Sequence, residues 1–329
     1  MSQRADPGCV DADSPPSKRY STPGMAAKTT SGALMGALRG AFRADSQLWR
    51  RAMHAGVQYG PDPWVRYSPP LFGVAFGAAL EGPRRTVLET LRKVRGPRPY
   101  LEEMRDVAEV FANFAWSMTD GMLIGAGRGY CATGRPVGDW HVLSSAARGR
   151  GVIMATAHTA GWDVGGIFLK TAQPREVWVV MEREPNQAAR ELGAAARGRA
   201  GLRVIHVGDD PLASLPLLRH LRSGGVVALK FDRIHRGMRT RKVQFLGEPW
   251  RVPEGPLSLA SLSGAPIVPV LTRRLGFLEY EVINHPPIHL PRRPSQAELD
   301  AAAGRLASSL EGFVRAHPTH WFRLQDSDD

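Results

Sequence analysis

The spacing of apolar residues changes character partway along this chain. Over residues 44–147 they recur at three- and four-residue steps. The clearest stretch is 100–123, where Leu101, Met104, Val107, Ala108, Phe111, Phe114, Ala115, Met118 and Met122 share a helical stripe. Beyond 148, short β-rich runs take over: GVIMATAH, REVWVVME, LRVIHVG, GGVVALKFD, APIVPVLTRR and LEYEVINH. Helix-spaced segments separate them at 161–170, 186–199, 211–222 and 256–263, and a last one follows at 295–316. That last segment opens on Ser295 with Glu298 at capping-box spacing. Strands that alternate with helices join most easily as parallel neighbours. The pattern predicts an α/β fold: a mostly parallel central sheet flanked by helices, preceded by a helical N-terminal region.

Three regions follow. Residues 1–43 read as a disordered tail, because the Ser-, Pro-, Asp- and Lys-rich start has too little apolar surface to offset the entropy of ordering. Met25 is an alternative start. Residues 44–147 form the helical region, and 148–325 the α/β core; no Gly/Ser linker divides them, so they are expected to pack as one unit. Cys9 and Cys131 are the only cysteines and neither sits in a metal-ligand spacing. A disulfide framework and a thiolate zinc site both drop out, and a reducing cytosolic setting fits best.

The candidate site lies in GVIMATAHTAGWDVGG, residues 151–166. A strand ends in His158, and Asp163 follows five residues later. On a continuous helix that step is about 500°, which puts the two on different faces. They meet only if His158 sits in a strand-to-helix turn, and Gly161 supplies the freedom for one. A histidine held by a carboxylate at the carboxyl end of a parallel strand is a general-base arrangement. The alternative is a buried loop histidine beside a helix-capping Asp. No metal-ligand cluster, P-loop or strand-borne GxGxxG is present, and GAGRG at 125–129 follows a helix. His54, His141, His206, His285 and His289 read as structural or exposed.

HTAGWD resembles the H-x4-D/E motif of lysophospholipid acyltransferases. It is most similar to the lipid A biosynthesis lauroyl/myristoyl acyltransferase family, whose usual form is HFGNWE. His158, Trp162 and the acid match, while Thr159, Ala160 and Gly161 depart. Further segments follow in the family's order: MEREPNQ (181–187), HLRSGGVVALKFDR (220–233), VQFLGEPWRVPEGPLSLASLSGAPIVPV (243–270), and PTHWF near the end. The resemblance covers roughly 71–322. It implies attack of a hydroxyl, on a lipid A-type glycolipid, upon an acyl thioester carried by acyl carrier protein or CoA. No other cofactor and no metal is implied. His158 is then the base and Asp163 its orienter. Arg183, Asp232, Arg233, Arg239 and Arg241 are the substrate-binding candidates, and the basic loop 230–242 reads as a clamp for anionic head groups or the thioester carrier, or as a solvated loop. For Asp232, orienting a basic neighbour or capping a turn are the other readings. Loss of catalysis with retention of basic lipid binding, and acylation of another glycolipid or a lysophospholipid, are the rivals.

Charge enters the argument here. Lys and Arg number 43 against 31 Asp and Glu, a net charge of +12. No nucleic-acid motif accompanies it, so nucleic acid is not the expected partner. No apolar run reaches the ~20 residues of a membrane-spanning helix, and the first twenty residues, without a contiguous apolar core, are not expected to act as a secretory signal peptide. Leu71 to Leu80, with Trp64, Tyr67, Phe72 and Phe76 beside Arg84, Arg85, Arg92, Lys93 and Arg95, reads instead as a membrane-interfacial segment. The expectation is a peripheral protein on the cytoplasmic face of the inner membrane. The alternative is a buried helix.

Overall fold

A computed structural model of the chain describes residues 47–141, 151–161, 176–182, 202–207, 214–234 and 237–325. The tail at 1–43 and the helix expected at 186–199 lie outside these residues. The helical region runs α1 (Gln47–Tyr59), α2 (Asp62–Tyr67), α3 (Pro69–Ala79), α4 (Glu81–Arg95) and α5 (Tyr100–Gly125). Then come β1 (Thr133–Val137), β2 (Val152–Thr156), β3 (Val177–Glu182), β4 (Arg203–Val207), α6 (Leu215–Arg222) and β5 (Val226–Lys230). The chain continues through β6 (Thr240–Phe245), β7 (Glu248–Pro253), α7 (Gly255–Ser263), β8 (Ile267–Gly276), β9 (Glu279–Asn284) and α8 (Gln296–Ala316). A 3₁₀ turn at Pro318–His320 ends it.

Among the described residues seven strands form one sheet in the order β1-β9-β8-β2-β5-β3-β4, parallel at every pair except β8–β9. The expected α/β class is therefore correct. Because side chains alternate along a strand, β2 and β5 supply both faces of the sheet. Ile153, Ala155, Val227 and Leu229 join the cluster of α7 and α8, which includes Leu257, Leu306, Leu310 and Phe313. Val152, Met154, Val226 and Ala228 join the opposite one with Val177, Leu202 and Val268. Burial on both sides is why these strands read as unbroken apolar runs. The Ser295 capping box is present at the start of α8.

Two elements differ from the sequence reading. β1 lies inside the stretch read as helical: TGRPV carries no apolar period, and its pairing with β9 along a sheet edge makes it a strand. Pro136 is tolerated at such an edge. The basic loop 230–242 is also not loop throughout, since Thr240, Arg241 and Lys242 open β6. The β6–β7 hairpin closes on Leu246 and Gly247, both at positive φ (52° and 81°). That geometry matches the twist of paired strands, and Glu311 of α8 accepts from the Leu246 N–H at 3.0 Å.

In the helical region, α3 is apolar on every side yet buries only its small edge. A Cβ at Gly73 would lie 2.3 Å from the carbonyl oxygen of Phe111 on α5, and one at Gly77 would lie 2.4 Å from the Phe111 ring. Most of the large side chains face out, with Leu71 72% exposed and Phe72 and Val74 exposed beside it, while Phe76 packs partly against the cluster of Val107, Val110 and Phe111. The cations of α4, expected to face lipid, are instead engaged by the protein. Arg92 forks Glu103 at 2.7 and 2.6 Å, and Arg95 and Arg98 share Asp106 at 2.5 and 2.7 Å. Lys93 meets Glu248 at 2.6 Å, and Arg84 donates to the Gly77 and Ala78 carbonyls at the end of α3.

The glycine contact yields a matched test. Gly73→Ala has no room, because the atom it meets is backbone, and is expected to lower stability by about 1–3 kcal/mol. Gly82→Ala on α4, where a Cβ meets nothing within 4 Å, should be neutral or slightly stabilising. Urea unfolding of the two variants checks the difference.

Candidate active site

β2 and β5 are parallel neighbours in a register that sets Thr156 opposite Lys230. The ladder extends one step further, with Phe231 N–H donating to the Thr156 carbonyl at 3.0 Å. Two residues beyond the paired positions come His158 on one strand and Asp232 on the other. The register therefore delivers both to the carboxyl end of the sheet, where open α/β sheets bind ligands. His158 sits in a three-residue turn closed by Thr159 N–H to the Ala157 carbonyl at 2.7 Å.

From the described residues the Asp232 carboxylate accepts three hydrogen bonds. His158 Nδ1 meets Oδ1 at 2.8 Å, the His158 backbone N–H meets Oδ2 at 2.8 Å, and the Trp321 indole Nε1–H meets Oδ2 at 3.0 Å. With Asp232 ionised, the imidazole carries its proton on Nδ1 and its lone pair on Nε2. The segment 318–322 runs antiparallel across the motif: Ala160 N–H donates to the His320 carbonyl at 2.8 Å and Phe322 N–H to the His158 carbonyl at 2.9 Å.

The family-departing residues have structural roles here. Thr159 is fully buried, and its Oγ1 accepts from the Thr272 N–H of β8 at 3.1 Å. Gly161 has φ +84°, and a Cβ there would lie 2.3 Å from the Tyr280 ring. That ring is held in turn by its hydroxyl, which donates to buried Asp120 at 2.5 Å, with Arg274 Nε 3.5 Å from the same carboxylate oxygen.

The structure sorts the candidates. Asp232, placed with the substrate-binding residues, has a side chain only 2% exposed and is turned to His158. Arg239 and Arg241, expected at an anionic ligand, both pair with Glu254, at 3.2 and 2.7 Å. Arg241 also reaches Asp300 at 3.0 Å and is largely buried, so it holds β6 against α8. Arg233 stays beside Asp232, half-buried, donating to the Phe322 carbonyl at 3.4 Å. Asp163 and Arg183 lie outside the described residues. Trp321, Tyr280 and Asp120 were missed by residue-level reasoning; the one signal for Trp321 was its place in PTHWF. Among the described residues no group of His, Cys, Asp and Glu could hold a metal ion.

Burial drives the electrostatics. Desolvation lowers the His158 pKa to about 4 against the pull of Asp232, and Lys230 and Arg233 push it the same way. Burial alone would raise Asp232, but the His158 ring and the donated hydrogen bonds outweigh it and hold the carboxyl well below its usual range. His158 is thus expected to titrate near pH 4 by NMR, against ~6.5 for a free imidazole. Asp232→Asn, which removes the counter-charge, should push it lower still. A titration in the ordinary range would contradict the burial argument. Since the unfolded chain takes that proton first, stability should fall as pH drops from about 6.5 towards 4.

The chain matches the family model for bacterial lipid A biosynthesis acyltransferases over residues 51–327. A phosphatidylinositol mannoside acyltransferase of Mycobacterium tuberculosis (strain CDC 1551 / Oshkosh) is 29% identical over 193 residues, 56% of this chain and 57% of that protein. One from Mycolicibacterium smegmatis (strain ATCC 700084 / mc(2)155) is 26% identical over 193 residues, 56% of this chain and 59% of that protein. The chain thus spans somewhat under two thirds of the length of the curated relatives it matches. The family match takes in the helices, the sheet, the strand ends that carry His158 and Asp232, and the 318–322 segment laid across them: the chain belongs to the bacterial lipid A biosynthesis acyltransferase family.

Proposed function

We propose that the protein is a glycolipid acyltransferase that moves a fatty acyl chain from a thioester of acyl carrier protein or CoA to a sugar hydroxyl of an anionic glycolipid. The observation that carries this reading is the His158 Nδ1–Asp232 Oδ1 contact of 2.8 Å at the carboxyl end of the sheet. Family membership narrows the chemistry to acyl transfer. The relatives are named phosphatidylinositol mannoside acyltransferases, which supports reading the acceptor as a glycolipid.

In this mechanism the acceptor hydroxyl gives its proton to His158 Nε2 as its oxygen attacks the thioester carbonyl. The tetrahedral intermediate collapses with cleavage of the C–S bond, and the departing sulfur takes the proton back from the imidazolium. No acyl-enzyme forms. The depressed pKa keeps the imidazole neutral and able to take a proton; it already includes the pull of buried Asp232, without which the imidazolium would cost more to form. Arg233 is assigned to the anionic part of a substrate, together with Arg183 from the sequence motif. The departures at Thr159 and Gly161 leave the dyad intact, which favours a catalyst over a binding protein that has lost its chemistry.

The test is turnover of an acyl thioester with a glycolipid acceptor. His158→Ala is expected to lose about 10²–10⁴-fold in rate. Asp163→Asn and Asp232→Asn, run side by side, apportion the orienting role between the two acids. If Asp232→Asn turns over like the wild type, the pairing with His158 does not serve catalysis.

The membrane reading also belongs here. Among the described residues no helix is long and apolar enough to cross a membrane. We propose that the outward face of α3, with Trp64 and Tyr67 nearby, seats the protein on the cytoplasmic surface of the inner membrane. The cations of α4 are occupied by protein partners, so apolar insertion carries the contact. Leu71→Glu with Val74→Glu, both at exposed positions, should cut pelleting with phosphatidylglycerol/phosphatidylcholine vesicles at least severalfold while leaving the melting temperature unchanged. Pelleting equal to wild type would move this face back to ordinary surface.

A further inference from the structure

Of the three donors on Asp232 among the described residues, two belong to His158 and the third comes from the far end of the chain. We propose that Trp321 is a positioning residue: its indole N–H locks the Asp232 carboxylate in the one orientation that meets His158 Nδ1. This rests on the reading of His158 as the base.

The geometry supports the lock. The terminal torsion of an aspartate is broad and roughly two-fold, so a carboxylate held at one point swings easily. Oδ2 is gripped by two donors, the His158 N–H at 2.8 Å and the indole at 3.0 Å, which leaves Oδ1 facing Nδ1. The indole is itself immobile. Trp321 is 3% exposed, pairs with Thr159 across an antiparallel bridge, and packs edge-on against Phe245 with ring centroids 5.4 Å apart.

Residues on both sides of it are tied down as well: Asn113 of α5 donates to the Thr319 carbonyl at 3.2 Å, Thr319 Oγ1 donates to Glu109 at 3.0 Å, and Phe322 N–H donates to the His158 carbonyl at 2.9 Å. The chemistry of the side chain also fits. An indole is a neutral group that only donates. It therefore grips the carboxylate without supplying a cation, which would cancel the charge that attracts the imidazolium.

The test uses two variants of the whole chain. Trp321→Phe keeps a ring and loses the donor. Incorporation of 3-benzothienylalanine at position 321 replaces the N–H by sulfur at nearly the same shape, and covers the case in which Phe leaves a destabilising cavity. The readouts are kcat and KM for acyl-thioester turnover, and the downfield proton resonance of His158 Nδ1–H, assigned by its loss in His158→Gln.

The expected result is a kcat lowered on the order of tenfold, as the loss of one hydrogen bond to a charged group implies. KM should stay within about twofold, and the resonance should move in both variants. A packing role alone would leave the resonance in place in the benzothienyl protein. An unmoved resonance in either folded variant, or an unchanged kcat in an active enzyme, overturns the assignment. A moved resonance in a protein whose wild type shows no thioester turnover upholds the positioning role and sinks the acyl-transfer reading instead.

Discussion

A carboxylate cannot be buried without donors, and Asp232 is buried. Leaving such a charge uncompensated costs about 3–5 kcal/mol, so the segments that bring its donors must converge. Those segments are the end of β2, with the backbone and ring of His158, and the 318–322 segment, with the Trp321 indole. Much of the architecture near the site is the means of holding these pieces together. The parallel β2–β5 register sets the distance between the strand ends, and the two backbone hydrogen bonds from 318–322 to the motif turn close the third side.

The helix α5 extends that constraint into the N-terminal region. Its stripe of Val107, Val110 and Phe111 packs against Ala160 of the motif turn and Phe322. Polar residues placed along the same helix do a different job. Asn113 and Glu109 hold Thr319, and Asp120, further along, takes the Tyr280 hydroxyl whose ring fills the space at Gly161. Burial raises the Asp120 pKa, the Tyr280 hydrogen bond and Arg274 acting the other way. One helix thus supports both the clamp over His158 and the turn that leads away from it. Its outer neighbour α3 can pack so closely because glycines line the contact, which leaves Leu71, Phe72 and Val74 to the exterior.

The basic composition has a more ordinary meaning than the net charge suggests. Arg92, Arg95 and Arg98 neutralise Glu103 and Asp106, buried acids of α5, while Arg135 and Arg273 do the same for Glu281 on β9. Arg239 and Arg241 serve Glu254. Of the arginines that drew attention as ligand-binding candidates, Arg241 is an internal counter-ion, whose planar fork suits carboxylates at an element junction, while Arg239 pairs with Glu254 from the surface. Arg233, beside Asp232 at the strand end, is the described candidate that keeps a place at the site.

The local code of the chain determined the period-two and period-3.6 patterns, and with them β2, β5, β8, β9, α5, α7 and α8, down to the Ser295 capping box. It also determined that His158 sits at a strand end before a glycine turn, because strand exit and turn chemistry depend on neighbours a few residues away. The strand β1 was illegible, since TGRPV has no pattern of its own and is made a strand by the β9 edge. Likewise, the pairing of Asp232 with the histidine was not a local matter. Asp163, five residues from His158, has the orienting role by the motif and lies outside the described residues, whereas Asp232 is 74 positions away and Trp321 a further 89 beyond Asp232. Only sheet register and the return of the C-terminal segment bring these groups to hydrogen-bond distance, and both are products of packing among elements rather than of any single stretch of sequence.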